Sequence, residues 1–250
     1  MWAFAGRTIY QSDRLLRRAP RLGLTDVCIC GNSIKDGVRA LATRARLSAT
    51  IRAIQGDGID VHVLWYPWPT VAAATHAGDV LGELAVEHGL RSGLLDLEEN
   101  WTQFSGSGTD HHAAADALFA SYRKATTVPL GVTGIPFHDV AKLGHAVRSA
   151  DYVLTQGYSS TARGYTPGRI QRVAHARWRG YGKPVVAALA AYKQQGAGGM
   201  SAARAIATAV EAVRELDMPS VSELAWWSLS DLVPGTAVHA AVAALTKGLS

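Results

Sequence analysis

The chain has 250 residues, 48% of them hydrophobic and 18% charged, enough for one large core. Lysine and arginine number 25 against 20 aspartates and glutamates, a formal charge of +5. That excess is spread along the chain rather than gathered among aromatic residues as on a nucleic-acid-binding face. There is no run of about 20 apolar residues to cross a bilayer, and no linker rich in Pro, Ser or charge divides the sequence. One domain over residues 1–250 is expected, a monomer with no nucleic acid and no membrane as partner.

Short apolar runs near residues 2–9, 25–31, 60–66, 92–98, 129–134, 152–157, 184–190 and 223–229 read as eight strands, separated by stretches of helical periodicity. The opening, Met1-Trp2-Ala3-Phe4-Ala5-Gly6-Arg7, lacks the basic start, apolar core and cleavage site of a secretory leader. This predicts synthesis in the cytoplasm. The densest basic stretch, Arg14, Arg17, Arg18 and Arg21, reads as the solvated face of one short helix. In the second strand, Cys28 and Cys30 project from the same face, unsuited to an ordinary disulfide and too few for a metal site, so buried reduced thiols are expected.

Further along, Asp110 has the character of a cap for a helix carrying Ala114, Ala117, Leu118 and Tyr122. Thr166 and Pro167 open another, with Ile170, Val173, Ala174 and Trp178 on one face. Ser201 precedes a helix with Ile206, Val210 and Val213, and Pro234 precedes one with Val238, Ala241, Val242 and Leu245. Strands alternating with helices imply right-handed crossovers and a parallel sheet. Eight such units in this length predict an α/β fold, a single (β/α)8 TIM barrel. An open doubly wound sheet would normally show a Gly-rich dinucleotide turn after the first strand, and Gly6-Arg7-Thr8 is not one. No cofactor and no metal are expected.

In this barrel the active site is built at the C-terminal ends of the strands. The fourth strand ends Asp96-Leu97-Glu98, where alternation sends Leu95 and Leu97 toward the helices and Asp96 and Glu98 inward. The two inward residues are then about 6–7 Å apart along the strand. Burying two carboxylates is costly, and repulsion with partial burial raises a carboxyl pKa, which a general acid requires. Glu98 and Asp96 are therefore the expected catalytic pair. Aromatic residues gather at the same ends: Trp65, Tyr66 and Trp68 after strand three, Trp101 after strand four, Tyr158 after strand six, Tyr192 after strand seven, and Trp226 with Trp227 in strand eight. Flat rings with a donor suit sugar faces and hydroxyl edges. One of Trp226 and Trp227, whose side chains oppose each other, is expected to be core. Gln156 shares the inward face with Tyr158, and Asp231 follows strand eight; both could bond a sugar substituent.

Other signals point elsewhere. The segment Gly196-Ala197-Gly198-Gly199-Met200-Ser201 opens a helix where many barrels hold phosphate, though a capped mobile loop explains it as well. Lys193 suits a Schiff base or an ordinary loop lysine. His111 and His112 lack a third ligand at metal spacing and fit a helix's first turn. His62 fits a satisfied barrel histidine, and His138 with Asp139 the start of a helix.

The carboxylate step resembles that of the lysozyme-like glycoside hydrolases of family 25 and, more distantly, the chitinase-like family 18, both barrels with Asp-x-Glu at the end of strand four. The stretch Gly58 to Trp68 before an Ala-rich helix resembles strand three of family 25. Gln156-Gly157-Tyr158 is similar to strand six of family 18, and Trp227-Ser228-Leu229-Ser230-Asp231 to its strand eight. Arg91 and Leu94 stand where family 18 carries further aspartates. Trp65 and Tyr66 replace its small-residue strand-three motif, and the first strand shows no inward Asp of the family 25 kind. The resemblance implies Glu98 as the acid that protonates the glycosidic oxygen, Asp96 orienting a 2-acetamido group or stabilising the positive intermediate, Tyr158 holding the acetamido carbonyl and Trp227 flooring the subsite.

The expectation is a hydrolase of β-linked N-acetyl sugar polymers, with bacterial peptidoglycan as the polysaccharide partner, in the manner of a muramidase or endolysin reaching the wall after lysis or by a non-classical route. Two alternatives remain open: a Schiff-base or phosphate-binding lyase or aldolase using Lys193 and the loop 196–201, and a catalytically silent carbohydrate-binding barrel.

Overall fold

The computed structural model describes residues 2–5, 21–33, 39–134, 140–158, 165–192, 197–216, 224–227 and 232–246. Its strands are β1 (Trp2–Ala5), β2 (Asp26–Cys30), β3 (Asp60–Trp65), β4 (Ser92–Asp96), β5 (Leu130–Gly134), β6 (Tyr152–Gln156), β7 (Val185–Ala190) and β8 (Leu224–Trp227). Each begins within about a residue of its expected start. Residues 6–9 and 228–229, expected to extend the first and last strands, lie outside the described residues. Every strand pairs in parallel with the next, and β1 meets β8 through Trp2↔Ala225 and Ala3↔Trp226, so the strand order runs round a ring.

The helices are α1 (Arg44–Gly56), α2 (Val71–His88), α3 (Glu99–Thr102), α4 (His111–Ala125), α5 (Val140–Ser149), α6 (Pro167–Arg179), α7 (Ala202–Arg214) and α8 (Ala237–Thr246). Their starts follow from capping chemistry. Asp110 accepts from the amides of His112 and Ala113, both at 3.0 Å; Thr166 accepts from Arg169, and Ser201 from Arg204. At α8 the cap is Thr236, which accepts from His239, two residues beyond Pro234. The basic stretch Arg14, Arg17 and Arg18 lies outside the described residues.

Period-two alternation divides the apolar side chains into two layers. Val27, Ile29, Val61, Val63, Leu95, Leu97, Val132, Val153 and Trp226 face outward into the main core against the helices. Cys28, Leu64, Leu94, Leu154, Val186, Ala188 and Ala225 face inward and fill the ring. Neither cysteine forms a disulfide, and burial pushes the Cys30 thiol up to about 12.

The N-terminal end of the ring is occupied by a bonded polar layer. His62 Nδ1 lies 2.6 Å from Ser92 Oγ and its Nε2 3.3 Å from Asp26, while Ser92 Oγ lies 2.7 Å from Tyr152 Oη. Gly131 makes room for this: a Cβ there would stand 2.2 Å from the Tyr152 ring. His62 is thus a satisfied interior histidine, as its strand position implied.

Candidate active site

The chain leaving β4 is positioned by backbone and amide contacts that do not use the Glu98 carboxylate. Leu97 N–H donates to Thr133 O at 2.8 Å, and Gly134 permits the approach, since a Cβ there would meet Leu97 O at 2.8 Å. Glu98 then begins α3 without its side chain capping the helix. Its N–H donates to Asn100 Oδ1 at 3.2 Å, and Asn100 Nδ2 donates to Pro67 O at 2.7 Å, tying the ends of β4 and β3 together. The carboxyl group of Glu98 is left out of this scaffold.

Asp96 is 2% exposed and Glu98 half-buried, on the inward face with Gln156. Gln156 Nε2 donates to Asp96 Oδ1 at 2.9 Å, and the same side chain hydrogen-bonds Glu98. Tyr66 supplies a second side-chain hydrogen bond to Asp96. Among the described residues no Lys, Arg or His forms an ion pair with either carboxylate. Burial accordingly pushes the Asp96 carboxyl well above its ordinary value, with the neighbouring charge of Glu98 adding to it. Burial likewise raises Glu98, partly opposed by the bond from Gln156 and assisted by the charge of Glu99. Two proton-retaining carboxyls bridged by one amide can donate a proton and then stabilise positive charge.

Two aromatic groups complete the setting. Tyr158 stacks on Trp227 with centroids 5.7 Å apart and planes inclined by 13°. Burial raises the Tyr158 hydroxyl, with the charges of Asp96, Glu98 and Tyr192 adding to the effect, which places all three near it. Tyr66 is held from the other side by Asn32, whose Oδ1 accepts from Tyr66 N–H at 2.7 Å and whose Nδ2 donates to Tyr66 O at 2.9 Å. Among the described residues no group of His, Cys, Asp or Glu could hold a metal ion; what converges is acid, amide, phenol and ring.

No protein-family model matches the chain, and a search of curated proteins returns no match. Solved structures do match over nearly the whole length. A family 18 chitinase from Pseudoalteromonas aurantia superposes with a TM-score of 0.68 at 16% identity, covering 98% of each chain. An endo-β-N-acetylglucosaminidase from Cordyceps militaris gives 0.59 at 13%, covering 100% of this chain and 90% of that one. A tamarind chitinase-like lectin gives 0.61 at 12%, covering 96% and 97%. The fold is chitinase-like. These likenesses support the family 18 side of the expected resemblance and lend none to the family 25 side.

Within this chitinase-like fold, Asp96, Glu98, Gln156, Tyr66, Tyr158, Trp227 and the half-buried Tyr192 come together as the strand alternation implied. Trp65 and Trp101 do not. Trp65 is odd-numbered in β3, one residue out of phase with His62, Leu64 and Tyr66, so it faces the helices, where it is 2% exposed and meets His76 edge-on. Trp101 points from α3 into the outer core, with no exposure, and its Nε1 donates to Lys142 O at 3.0 Å. Proximity in sequence to a strand end placed both at the rim; phase and helix geometry removed them. Trp226 is the core member of its pair and Trp227 the inward one. His111 and His112 occupy the first turn of α4, bonded to Trp101 O and stacked on His145. Asp231, Lys193, Gly196, His138 and Asp139 lie outside the described residues.

Sequence reasoning missed Asn32 and Asn100, which touch no reacting position but fix Tyr66 and Glu98. Asn32 was detectable, since it continues the inward register of Asp26, Cys28 and Cys30 past the strand end. Asn100 was not, because its bonds depend on where Pro67 lies. Gln171, on α6, was equally silent: its amide donates to Gly157 O at 3.0 Å and Ala188 O at 3.1 Å, seating the end of β6, and a Cβ on Gly157 would collide with it.

Proposed function

We propose that the chain is a glycoside hydrolase of β-linked N-acetyl sugar polymers, with bacterial peptidoglycan as substrate, built as a single monomeric (β/α)8 domain. The reading rests on one observation: Asp96 and Glu98 share the inward face at the C-terminal ends of the strands, bridged by Gln156 and unpaired with any cation among the described residues. It is supported by the fold. One matching structure is a Cordyceps militaris endo-β-N-acetylglucosaminidase variant in complex with fucosyl-N-acetylglucosamine-Asn, in which an Asp and a Glu two positions apart are changed to Asn and Gln. Asp96 and Glu98 have that spacing.

In the proposed reaction protonated Glu98 donates to the glycosidic oxygen as the C–O bond breaks. The substrate's own acetamido carbonyl closes on the anomeric carbon, Tyr158 holds that carbonyl, and Asp96 stabilises the positive charge on the ring formed. Glu98, now a carboxylate, takes a proton from the water that opens this ring. Trp227, backed by Tyr158, floors the subsite. Glu98→Gln keeps the shape and removes the transferable proton. Release of reducing ends from purified peptidoglycan should fall at least about a hundredfold; clearance at the unaltered rate would refute the assignment. Mass analysis of the fragments identifies the bond cut.

A silent carbohydrate-binding barrel is the second reading, favoured by the likeness to the tamarind lectin and to a xylanase and α-amylase inhibitor protein with a TM-score of 0.61. Saturable glycan binding without new reducing ends would decide for it.

A further inference from the structure

On the face opposite the carboxylates, a pocket of about 490 Å³ opens between the end of α6, the loop that follows it and the start of β7. Its polar lining is His175, Arg179 and Lys183; Pro184, Val185 and Leu216 supply the apolar part, and no acidic side chain among the described residues lines it. His175 is only 8% exposed, yet its ring makes no hydrogen bond among the described residues. Arg179 and Lys183 form no ion pair there either, whereas Arg172, one helical turn before His175, is taken up by Glu215. Two cations without an ion pair among the described residues, set beside a buried imidazole, favour a negative ligand. Burial and the adjacent Arg179 hold the His175 pKa down, so an anion placed between them would relieve both.

We propose that this pocket binds an organic phosphate of sugar-phosphate size. Its volume falls in the usual range of small-molecule sites, about 300–1,000 Å³, and exceeds what a bare oxyanion fills. A guanidinium and an ammonium together match a phosphate dianion, the guanidinium by its two-pronged donor geometry and the ammonium as a point charge. The His175 ring supplies a third donor, and Pro184 with Leu216 offers a surface for the body of the ligand. Val185 begins β7 here, while the carboxylates stand where strands end, so occupancy would not obstruct the catalytic mouth. The assignment is independent of the glycosidase reading.

Titration calorimetry on the full chain with glucose 6-phosphate, inorganic phosphate and glucose tests it. Glucose 6-phosphate should bind saturably, at least tenfold more tightly than inorganic phosphate, and glucose not at all. Arg179→Gln combined with Lys183→Gln should weaken binding at least tenfold, with the unfolding midpoint unchanged. The His175 ring resonances should shift on addition of glucose 6-phosphate and stay fixed with glucose. Equal affinity for inorganic phosphate would overturn the sugar-phosphate assignment. Absence of saturable binding, or binding indifferent to the double substitution, would overturn the site.

Discussion

At the scale of single residues the proposed chemistry depends on two carboxyls that hold protons longer than they would in water. As the proposed acid Glu98 would act only while protonated, and burial has raised it above the ordinary 4.5. The alkaline limb of kcat/KM should therefore lie above that value. Because the bond from Gln156 favours the charged form, Gln156→Ala should move the limb to still higher pH, whatever it does to the rate. A pH–rate profile of both proteins checks this, and a limb that moves downward contradicts it. Asp96 affects stability with the opposite benefit. Its native pKa lies well above the ordinary 3.8, so below that value both states are protonated and nothing is lost. As pH rises through 3.8 toward the native pKa, the unfolded chain releases its proton first and stability falls. Asp96→Asn should raise the unfolding midpoint at pH 7 more than at pH 3.5, while abolishing catalysis. Thermal melts at the two pH values measure the difference.

At the scale of elements, close packing is set by positions where a side chain is missing. Helices α2 and α4 approach through Gly78 and Gly82; a Cβ at Gly78 would stand 2.4 Å from Leu118 O, and one at Gly82 2.8 Å from the Ala125 Cβ. Backbone cannot yield as a flexible side chain does. Gly78→Ala should destabilise the protein by about 1–3 kcal/mol despite alanine's better helix propensity, read as a lower urea midpoint. The same logic applies at Gly131 and Gly157, where the space belongs to Tyr152 and Gln171.

At the scale of the whole molecule, every strand pairs in parallel with the next and β1 meets β8, so the core is shared by all the strands rather than divided between them. Local opening is easiest where fewest buried contacts must break. In native-state hydrogen exchange the amides inside the ladders β2 to β7 should persist longest and those of the exposed turns exchange first; equal protection of strands and turns would contradict this.

The sequence by itself determined the eight strands, the helix caps Asp110, Thr166 and Ser201, the inward phase of Asp96, Glu98, Gln156 and Tyr158, and the opposed phases of Trp226 and Trp227. These follow from period-two and helical alternation and from capping, which act over a few residues. Tertiary structure decided what depends on distant partners. It sent Trp65 and Trp101 into the outer core, recruited Asn32 and Asn100 to brace Tyr66 and Glu98, and brought His175, Arg179 and Lys183 to one pocket. Phase along a strand is a local property of the chain; which neighbour fills the space across from it is known only once separate segments have packed.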